Sequence, residues 1–196
     1  KREKQLFVDV SGVVQEDAKT GIQRVTRSIL KEFLANPPNG YTVEPVYASP
    51  NRNGYRYARH YTACLLSQDY DGEDEEIEHR PGDIFLGLDL QHRVLLNNHD
   101  YLLGLRRDGV KIIFDVYDLL PISMPHAFAL EPDIHALWLE TITGFDGAVC
   151  ISRAVADELT GWLGAHGRQR LRPFRINWFH LGADIENSVP TFGLPD

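Results

Sequence analysis

The sequence predicts an α/β fold, a Rossmann-like open and mostly parallel sheet with helices on both faces. Short apolar, β-branched runs alternate with segments of helical periodicity along almost the whole chain. The predicted strands are apolar on both faces, which is typical of buried parallel strands. The length of 196 residues suits one α/β domain with a sizeable core.

Six strands are predicted, over residues 6–10, 42–47, 83–88, 111–116, 148–151 and 175–180. A polar loop over 11–20 precedes the first helix, whose apolar face is predicted to carry Ile22, Val25, Ile29 and Phe33. Further helices are predicted over 94–106, from Pro132 onward, and over 153–163. The segment 49–80 is predicted to be an irregular excursion or hairpin, with its acidic part, 69–78, solvated.

Composition restricts the function. A net charge of −8 argues against a general nucleic-acid binder. No apolar run approaches the ~18 residues of a membrane span, and the charged first residues, which lead straight into a strand, do not resemble a signal peptide. Cys64 and Cys150 are predicted to be buried free thiols in a reducing compartment. We therefore expect a cytoplasmic protein, with peripheral membrane contact through the basic run 168–175 as an open alternative.

Several common motifs are absent from the sequence. It contains neither a G-x-G-x-x-G nor a phosphate-binding G-x-x-x-x-G-K-[ST] motif. A G-x-S-x-G nucleophile motif is also missing, and the eight histidines show no metal-ligand spacing. Asp69-Tyr70-Asp71 is a D-x-D, but it lies within the acidic run, so we predict a solvated loop and no metal site.

Ligands of open α/β sheets bind beyond the carboxyl ends of the strands. The first candidate site there is the start of the first helix, where Gly21 would let a phosphate or sugar oxygen approach free backbone N–H groups, with Arg24 nearby. Thr20 and Gln23 also fit a capping box, so a structural role for Gln23 stays open.

Two further candidates follow later strands. Asp118 can accept hydrogen bonds from sugar hydroxyls or orient Tyr117, although it can also cap the turn before Pro121. Ser152 opens a helix, which capping explains by itself, and the neighbouring Arg153 can reach an anionic substrate.

Five motifs occur in the order expected for a known family and span nearly the whole chain. They resemble the N-terminal domain of glycosyltransferase family four, notably its bacterial mannosyl- and rhamnosyltransferases of O-antigen and capsule synthesis. The motifs are Phe7-Val8-Asp9-Val10-Ser11, Thr20-Gly21-Ile22-Gln23-Arg24-Val25, Tyr117-Asp118-Leu119-Leu120-Pro121, Cys150-Ile151-Ser152-Arg153 and His180-Leu181-Gly182-Ala183-Asp184.

The resemblance implies one half of a GT-B fold, in which two Rossmann-like domains face a cleft. Residues 1–182 would form the N-terminal, acceptor-side domain, and 183–196 would be a linker toward a missing C-terminal donor-binding domain. The implied reaction is retaining transfer of a sugar, with mannose favoured, from a nucleotide-sugar to a growing bacterial polysaccharide or lipid-linked glycan. No cofactor is expected, and GDP-mannose is the expected donor.

The resemblance also implies site residues. Tyr117 and Asp118 would be catalytic, and the substrate-binding residues would be Gly12, Gly21, Gln23, Arg24, Ser152 and Arg153. Tyr117 stands where many relatives have histidine, and a phenol does not serve as a near-neutral base. The family's spaced glutamate pair is absent from this sequence, so we expect the fragment alone to be inactive.

Two alternatives stay open at this point. The chain could be a non-catalytic α/β binding module, such as a receiver-like domain or a sugar-binding lobe. A receiver would need a late lysine, and none follows Lys111. The chain could also be a non-catalytic partner subunit that completes its cleft with another chain.

Overall fold

The structure is a computed structural model that describes residues 3–16, 20–49, 52–127, 132–167 and 172–182. Within these ranges seven strands form one sheet: β1 (Lys4–Asp9), β2 (Tyr41–Ala48), β3 (Tyr55–Tyr57), β4 (Ile84–Gly87), β5 (Lys111–Val116), β6 (Gly147–Cys150) and β7 (Arg175–Trp178). Their order across the sheet is β3-β2-β1-β4-β5-β6-β7. All neighbouring strands are parallel except β2 and β3. The predicted fold class is confirmed.

The described helices are α1 (Ser11–Gln15), α2 (Gly21–Ala35), α3 (Arg59–Leu65), α4 (His92–Asn97), α5 (His99–Arg107), α6 (Leu120–Ser123), α7 (Pro132–Ile142) and α8 (Arg153–His166). A short 3-10 helix, Pro125–Ala127, follows α6. None of the helices in the described part of the chain has the length and apolar character that crossing a membrane would require.

Two apolar cores lie on opposite faces of the sheet, and β1 shows why. Its side chains alternate, so that Leu6 and Val8 join the core beneath α1, α2 and α3, while Phe7 joins the other. That second, larger core is filled by side chains from α4, α5, α7 and α8.

The topology reverses direction at β1. The chain leaves β1 for β2 on one side and later returns to place β4 on the other side. At such a switch point the loops after the two strands run to opposite sides, and open α/β sheets bind their ligands in the crevice between these loops, at the carboxyl ends of the strands. Gly12, one of the residues predicted to bind substrate, lies at this edge of the sheet.

The region predicted as a polar loop over 11–20 begins as a helix instead. Two carboxylates explain this: Asp9 accepts hydrogen bonds from the N–H and hydroxyl of Ser11 (2.9 and 2.5 Å), and Asp89 accepts one from the N–H of Val13 (2.8 Å). These side chains satisfy the first free N–H groups of α1, which local sequence periodicity does not indicate.

The apolar face predicted for α2 is shifted from the face that is fully buried. Its most buried residues are Gln23, Thr26 and Leu30, whereas Ile22 and Val25 are only half-buried. Polar side chains can occupy the buried stripe here because both have hydrogen-bond partners, the carbonyl of Glu16 for Gln23 and Tyr117 for Thr26.

The segment 49–80 is more ordered than predicted. It contains β3, which forms an antiparallel hairpin with β2, and the helix α3. The acidic run is not simply solvated, because it packs along β3: the N–H of Tyr57 bonds to the carbonyl of Glu75 and the N–H of Ile77 to that of Tyr55 (3.0 and 3.1 Å). Asp74 also caps α3 by accepting the N–H of Arg59 (3.0 Å).

Two smaller expectations are wrong. The helix predicted over 94–106 is two helices, divided at Asn98, whose side chain accepts the N–H of Gly54 and donates to the carbonyl of Val94 (2.8 and 2.9 Å). Cys64 is exposed, because α3 buries none of its residues completely, whereas Cys150 is buried as predicted. The residues at 168–171 in the predicted basic run and the predicted linker over 183–196 lie outside the described residues.

Candidate functional site

The crevice at the carboxyl ends of β1 and β4 is built around two buried carboxylates. Asp9, the last residue of β1, also accepts a hydrogen bond from the Tyr55 hydroxyl (3.1 Å), and the hydroxyl of Ser11 accepts the N–H of Ala48 (2.9 Å). These contacts join the ends of β1, β2 and β3. Burial raises the pKa of Asp9 to about 7, although the Ser11 hydrogen bonds oppose the shift.

The second carboxylate, Asp89, follows β4 and faces Gly12. A Cβ atom built on Gly12 would lie 2.4 Å from Oδ2 of Asp89, so only glycine fits against this carboxylate. Burial raises the pKa of Asp89, and its hydrogen bond from the N–H of Val13 opposes that shift. Gly12 therefore has a packing role at the crevice, whatever it contributes to binding.

Gly21 and Arg24 lie at the exposed start of α2. Gly21 is the first residue of the helix, and no atom of the described residues lies within 4 Å of a Cβ atom built on it. Arg24 is exposed one turn later. Among the described residues, the start of α2 thus exposes a glycine and a cation.

Of the two hydrogen bonds expected for a capping box at Thr20 and Gln23, one is present. The Thr20 hydroxyl accepts the N–H of Gln23 (3.3 Å), as a helix cap does. The Gln23 side chain does not fold back onto Thr20, because its amide donates to the carbonyl of Glu16 (2.6 Å). Its Oε1 atom is buried and lacks a hydrogen-bond partner among the described residues.

Tyr117 connects three elements beneath this surface. Its hydroxyl donates to the carbonyl of Leu88 (2.9 Å), at the end of β4, and lies 3.2 Å from the hydroxyl of Thr26 on α2. The residue is buried, with 4% of its surface exposed, and burial together with the nearby Asp115 raises its pKa. Tyr117 therefore holds the β4 and β5 ends together.

Asp115, on β5 two residues before Tyr117, is a buried carboxyl group. Neither of its carboxyl oxygens has a hydrogen-bond partner in the described part of the chain. Burial raises the pKa of Asp115 to about 7. Such a carboxyl group is best accommodated in its neutral form.

Asp118 lies at the rim and is only half-buried. Its Oδ1 atom accepts the N–H of Leu120 (3.0 Å), which confirms the predicted turn-capping role. One oxygen bonded in this way leaves acceptor capacity on the carboxylate. The carbonyl of Asp118 lies 3.3 Å from Nε2 of His135.

Ser152 and Arg153 lie at the same edge, after β6. The Ser152 hydroxyl accepts the N–H of Val155 (3.2 Å) and caps α8. Arg153 is exposed and lies 3.7 Å from Asp157, one turn along the helix. The structure does not bring this pair to the β1–β4 crevice.

Two residues of the site were not singled out from the sequence. Asp89 follows a predicted strand directly, and that position was the available signal. His135 lies inside an amphipathic helix and carries no local signal, but the fold brings it to Asp118 and His92. In the described residues, no group of three or more metal-ligating side chains is close enough to hold an ion.

Comparison with known proteins finds similar mannosyltransferases. Three sequences of the serotype-specific mannosyltransferase WbdA of Escherichia coli are each 35% identical to this chain in alignments 199 residues long that cover 98% of the chain. The resemblance to a glycosyltransferase domain is confirmed. As predicted, the relatives are enzymes of the glycosyltransferase class. The chain spans only 23–24% of the length of these mannosyltransferases, and no family model matches it.

Proposed function

We propose that this chain is the acceptor-side domain of a retaining glycosyltransferase. The enzyme would transfer mannose from a nucleotide-sugar, with GDP-mannose favoured, to a growing bacterial polysaccharide or lipid-linked glycan. The observation that carries this proposal is the 35% identity to WbdA over 98% of the chain. It is supported by the polar residues grouped at the carboxyl edge of the sheet.

The proposal assigns the nucleotide to a second domain across a GT-B cleft. The relatives are about four times longer than the matched segment, which is ample for a further domain. We place that domain after residue 182.

The start of α2 would face this second domain. The first N–H groups of a helix lack intrahelical partners and carry a partial positive charge, so they bind phosphate or sugar oxygens. Open space above Gly21 allows such a group to reach the backbone, and Arg24 adds a charge nearby. Thr20 accepts the N–H of Gln23, and the N–H groups of Gly21 and Ile22, which have no partner among the described residues, would bind the ligand.

The acceptor would bind beside Asp118. Its free acceptor capacity suits the hydroxyl groups of a sugar, and its exposure makes it accessible. Tyr117 would act through position, because its hydroxyl is already bonded to the carbonyl of Leu88. A catalytic role in direct contact with substrate would require that bond to break.

In the proposed reaction, the bond from the anomeric carbon to the diphosphate breaks and a bond to the acceptor oxygen forms on the same face. The departing phosphate takes the proton of the acceptor hydroxyl. The contribution of this domain is then to hold the acceptor in reach of the anomeric carbon, and correct positioning can supply about 7–11 kcal/mol of a barrier.

The test is a transfer assay with the full natural polypeptide that contains this chain. It would be supplied separately with GDP-mannose, GDP-fucose, UDP-glucose and dTDP-rhamnose, and with a mannose-terminated oligosaccharide. We expect transfer from GDP-mannose and an α-linked product. Transfer only from another donor would refute the mannose assignment, and transfer from none would refute the enzymatic proposal.

A further inference from the structure

Two histidines form a hydrogen-bonded pair next to Asp118. His92 is the first residue of α4, and His135 lies on α7. Nε2 of His92 is 2.8 Å from Nδ1 of His135, and Nε2 of His135 is 3.3 Å from the carbonyl oxygen of Asp118. Trp138 packs edge-on against His92, with ring centroids 5.7 Å apart. The pair is therefore held in place by contacts on several sides.

The carbonyl of Asp118 fixes which ring nitrogens carry protons. A carbonyl oxygen only accepts, so Nε2 of His135 must be the donor in that contact. In a neutral imidazole the other nitrogen is then an acceptor, so Nδ1 of His135 accepts the Nε2–H of His92. By the same rule, Nδ1 of His92 carries no proton and is an acceptor.

Both rings are in surroundings that favour the neutral form. His135 is 2% exposed, and burial lowers its pKa. Burial and the neighbouring His135 lower the pKa of His92 to about 4. At neutral pH the pair is therefore uncharged, and the assignment of protons holds.

Nδ1 of His92 remains available for a ligand. The His92 ring is half-buried, and its Nδ1 atom has no hydrogen-bond partner in the ranges that the structure describes. His92 follows the β4 loop, which forms one wall of the crevice. His135 lies between His92 and Asp118, with a hydrogen bond to the His92 ring and another to the carbonyl of Asp118. The tautomer of His92 is thus fixed through His135 by the backbone carbonyl of Asp118, and its Nδ1 is an oriented acceptor on the residue that follows the β4 loop.

We propose that Nδ1 of His92 accepts a hydrogen bond from a hydroxyl group of the sugar substrate, and that His135 is the positioning residue that holds His92 in this tautomer. The inference rests on the proposed function for the chemical class of the ligand, a polyhydroxylated sugar. A neutral acceptor suits such a ligand because it binds a hydroxyl without adding charge beside the diphosphate. His92 belongs to no recognisable sequence motif, and only the fold brings it to His135.

The first test is independent of catalysis. Long-range proton–nitrogen NMR of the full natural polypeptide, labelled with ¹⁵N-histidine, distinguishes the two tautomers of each ring. We expect both His92 and His135 to carry the proton on Nε2 between pH 6 and 8. A proton on Nδ1 of His92, or a charged His92 ring, would overturn the inference.

Addition of a mannose-terminated oligosaccharide, alone and then with GDP, should shift the Nδ1 resonance of His92. His135→Leu removes the acceptor for the Nε2–H of His92, so His92 should become a mixture of tautomers in the same spectrum. If His135→Leu does not fold, the spectra of the unsubstituted protein still decide the question. No shift of the His92 resonance with sugar would contradict the proposal.

Kinetics provide the second test. His92→Asn keeps an acceptor oxygen close to the position of Nδ1, whereas His92→Phe removes it. We expect His92→Phe to raise the KM for the mannose acceptor or donor about tenfold, the loss of one such hydrogen bond, and His92→Asn to restore most of it. The matched control is His166→Phe, on the exposed face of α8, which should leave the kinetics unchanged.

The outcomes separate the two proposals. Unchanged kinetics in His92→Phe, with normal transfer by the unsubstituted protein, would overturn the role of His92 and leave the proposed function standing. If the unsubstituted protein transfers no sugar, the proposed function fails, and the NMR response of His92 to the oligosaccharide decides whether the residue binds sugar.

Discussion

The hydroxyl of Tyr117 donates a hydrogen bond to the carbonyl of Leu88 at 2.9 Å and so joins the ends of β5 and β4 inside the protein. The same hydroxyl is 3.2 Å from that of Thr26, on α2. One buried phenol therefore positions the ends of β4 and β5 and the helix α2, all of which carry candidate site residues. This relationship makes Tyr117 a structural support of the site.

Removal of this hydroxyl should destabilise the chain. Tyr117→Phe leaves the buried carbonyl of Leu88 without its partner, and we expect the free energy of unfolding to fall by about 1–3 kcal/mol. Urea denaturation measures this value. Tyr70→Phe is the matched control, because the Tyr70 hydroxyl bonds to the carbonyl of Glu73 in an exposed segment (3.1 Å), and its loss should cost less than about 0.5 kcal/mol. Equal effects of the two substitutions would contradict the supporting role.

The contact between Gly12 and Asp89 should not tolerate a methyl group. Gly12→Ala places Cβ 2.4 Å from Oδ2 of Asp89 and should displace that carboxylate from Val13. We expect a loss of about 1–3 kcal/mol in the free energy of unfolding. Gly161→Ala is the control: it lies on the exposed side of α8 with no atom near the added Cβ, and should gain up to about 1 kcal/mol. A neutral Gly12→Ala would show that the Asp89 contact is not tight.

Asp115 should make stability depend on pH. Burial raises its pKa from 3.8 to about 7 in the folded protein. The folded chain then holds a proton that the unfolded chain has lost, so this contribution to stability is full below about pH 4 and disappears as the pH rises through 7. Asp115→Asn removes this titration. The free energy of unfolding of the variant minus that of the unsubstituted chain should therefore be higher at pH 8 than at pH 5, by roughly 1 kcal/mol or more.

Urea denaturation at the two pH values measures this difference. Asp157→Asn, an exposed residue on α8, serves as the control and should leave the pH dependence unchanged. Asp9, whose pKa is also raised to about 7, should preserve part of the dependence in Asp115→Asn. The explanation fails if the difference between Asp115→Asn and the unsubstituted chain is the same at pH 5 and pH 8.

Substitution of Ser152 separates capping from substrate binding. Ser152→Ala removes the acceptor for the N–H of Val155 and should cost about 1 kcal/mol of stability. Ser152→Asp keeps a good cap, so thermal unfolding should return close to that of the unsubstituted chain. If capping is its whole role, sugar transfer by the natural polypeptide also survives Ser152→Asp. Restored stability with lost transfer would instead indicate contact with substrate.

The sequence predicted what depends on local periodicity and on the geometry of parallel sheets. The apolar run at Leu6 and Val8 gave β1, and its end indicated the functional edge because ligands bind beyond the carboxyl ends of such strands. The rest depends on contacts between distant residues. α1 is capped in part by Asp89, 76 residues away, and Thr26 is buried on α2 because Tyr117 lies opposite it.

The histidine pair is another contact between distant residues that the sequence does not predict, and it lies within the site. His92 and His135 are 43 residues apart, on separate helices, and neither occurs in a recognisable motif. Only the packing of α7 beside α4 brings their rings together. Pairing of this kind cannot be predicted from one sequence, because the local pattern around each histidine is that of an ordinary amphipathic helix.

The most direct test of the central claim, that substrates bind at the carboxyl edge between β1 and β4, is hydrogen–deuterium exchange of the full natural polypeptide. Exchange would be compared with and without GDP-mannose and a mannose-terminated acceptor. We predict slower exchange over residues 11–24, 88–92 and 117–125, and unchanged exchange along β3 and the acidic segment 73–78. Protection confined to β3 and the acidic segment, or to the amino ends of the strands, would contradict the account.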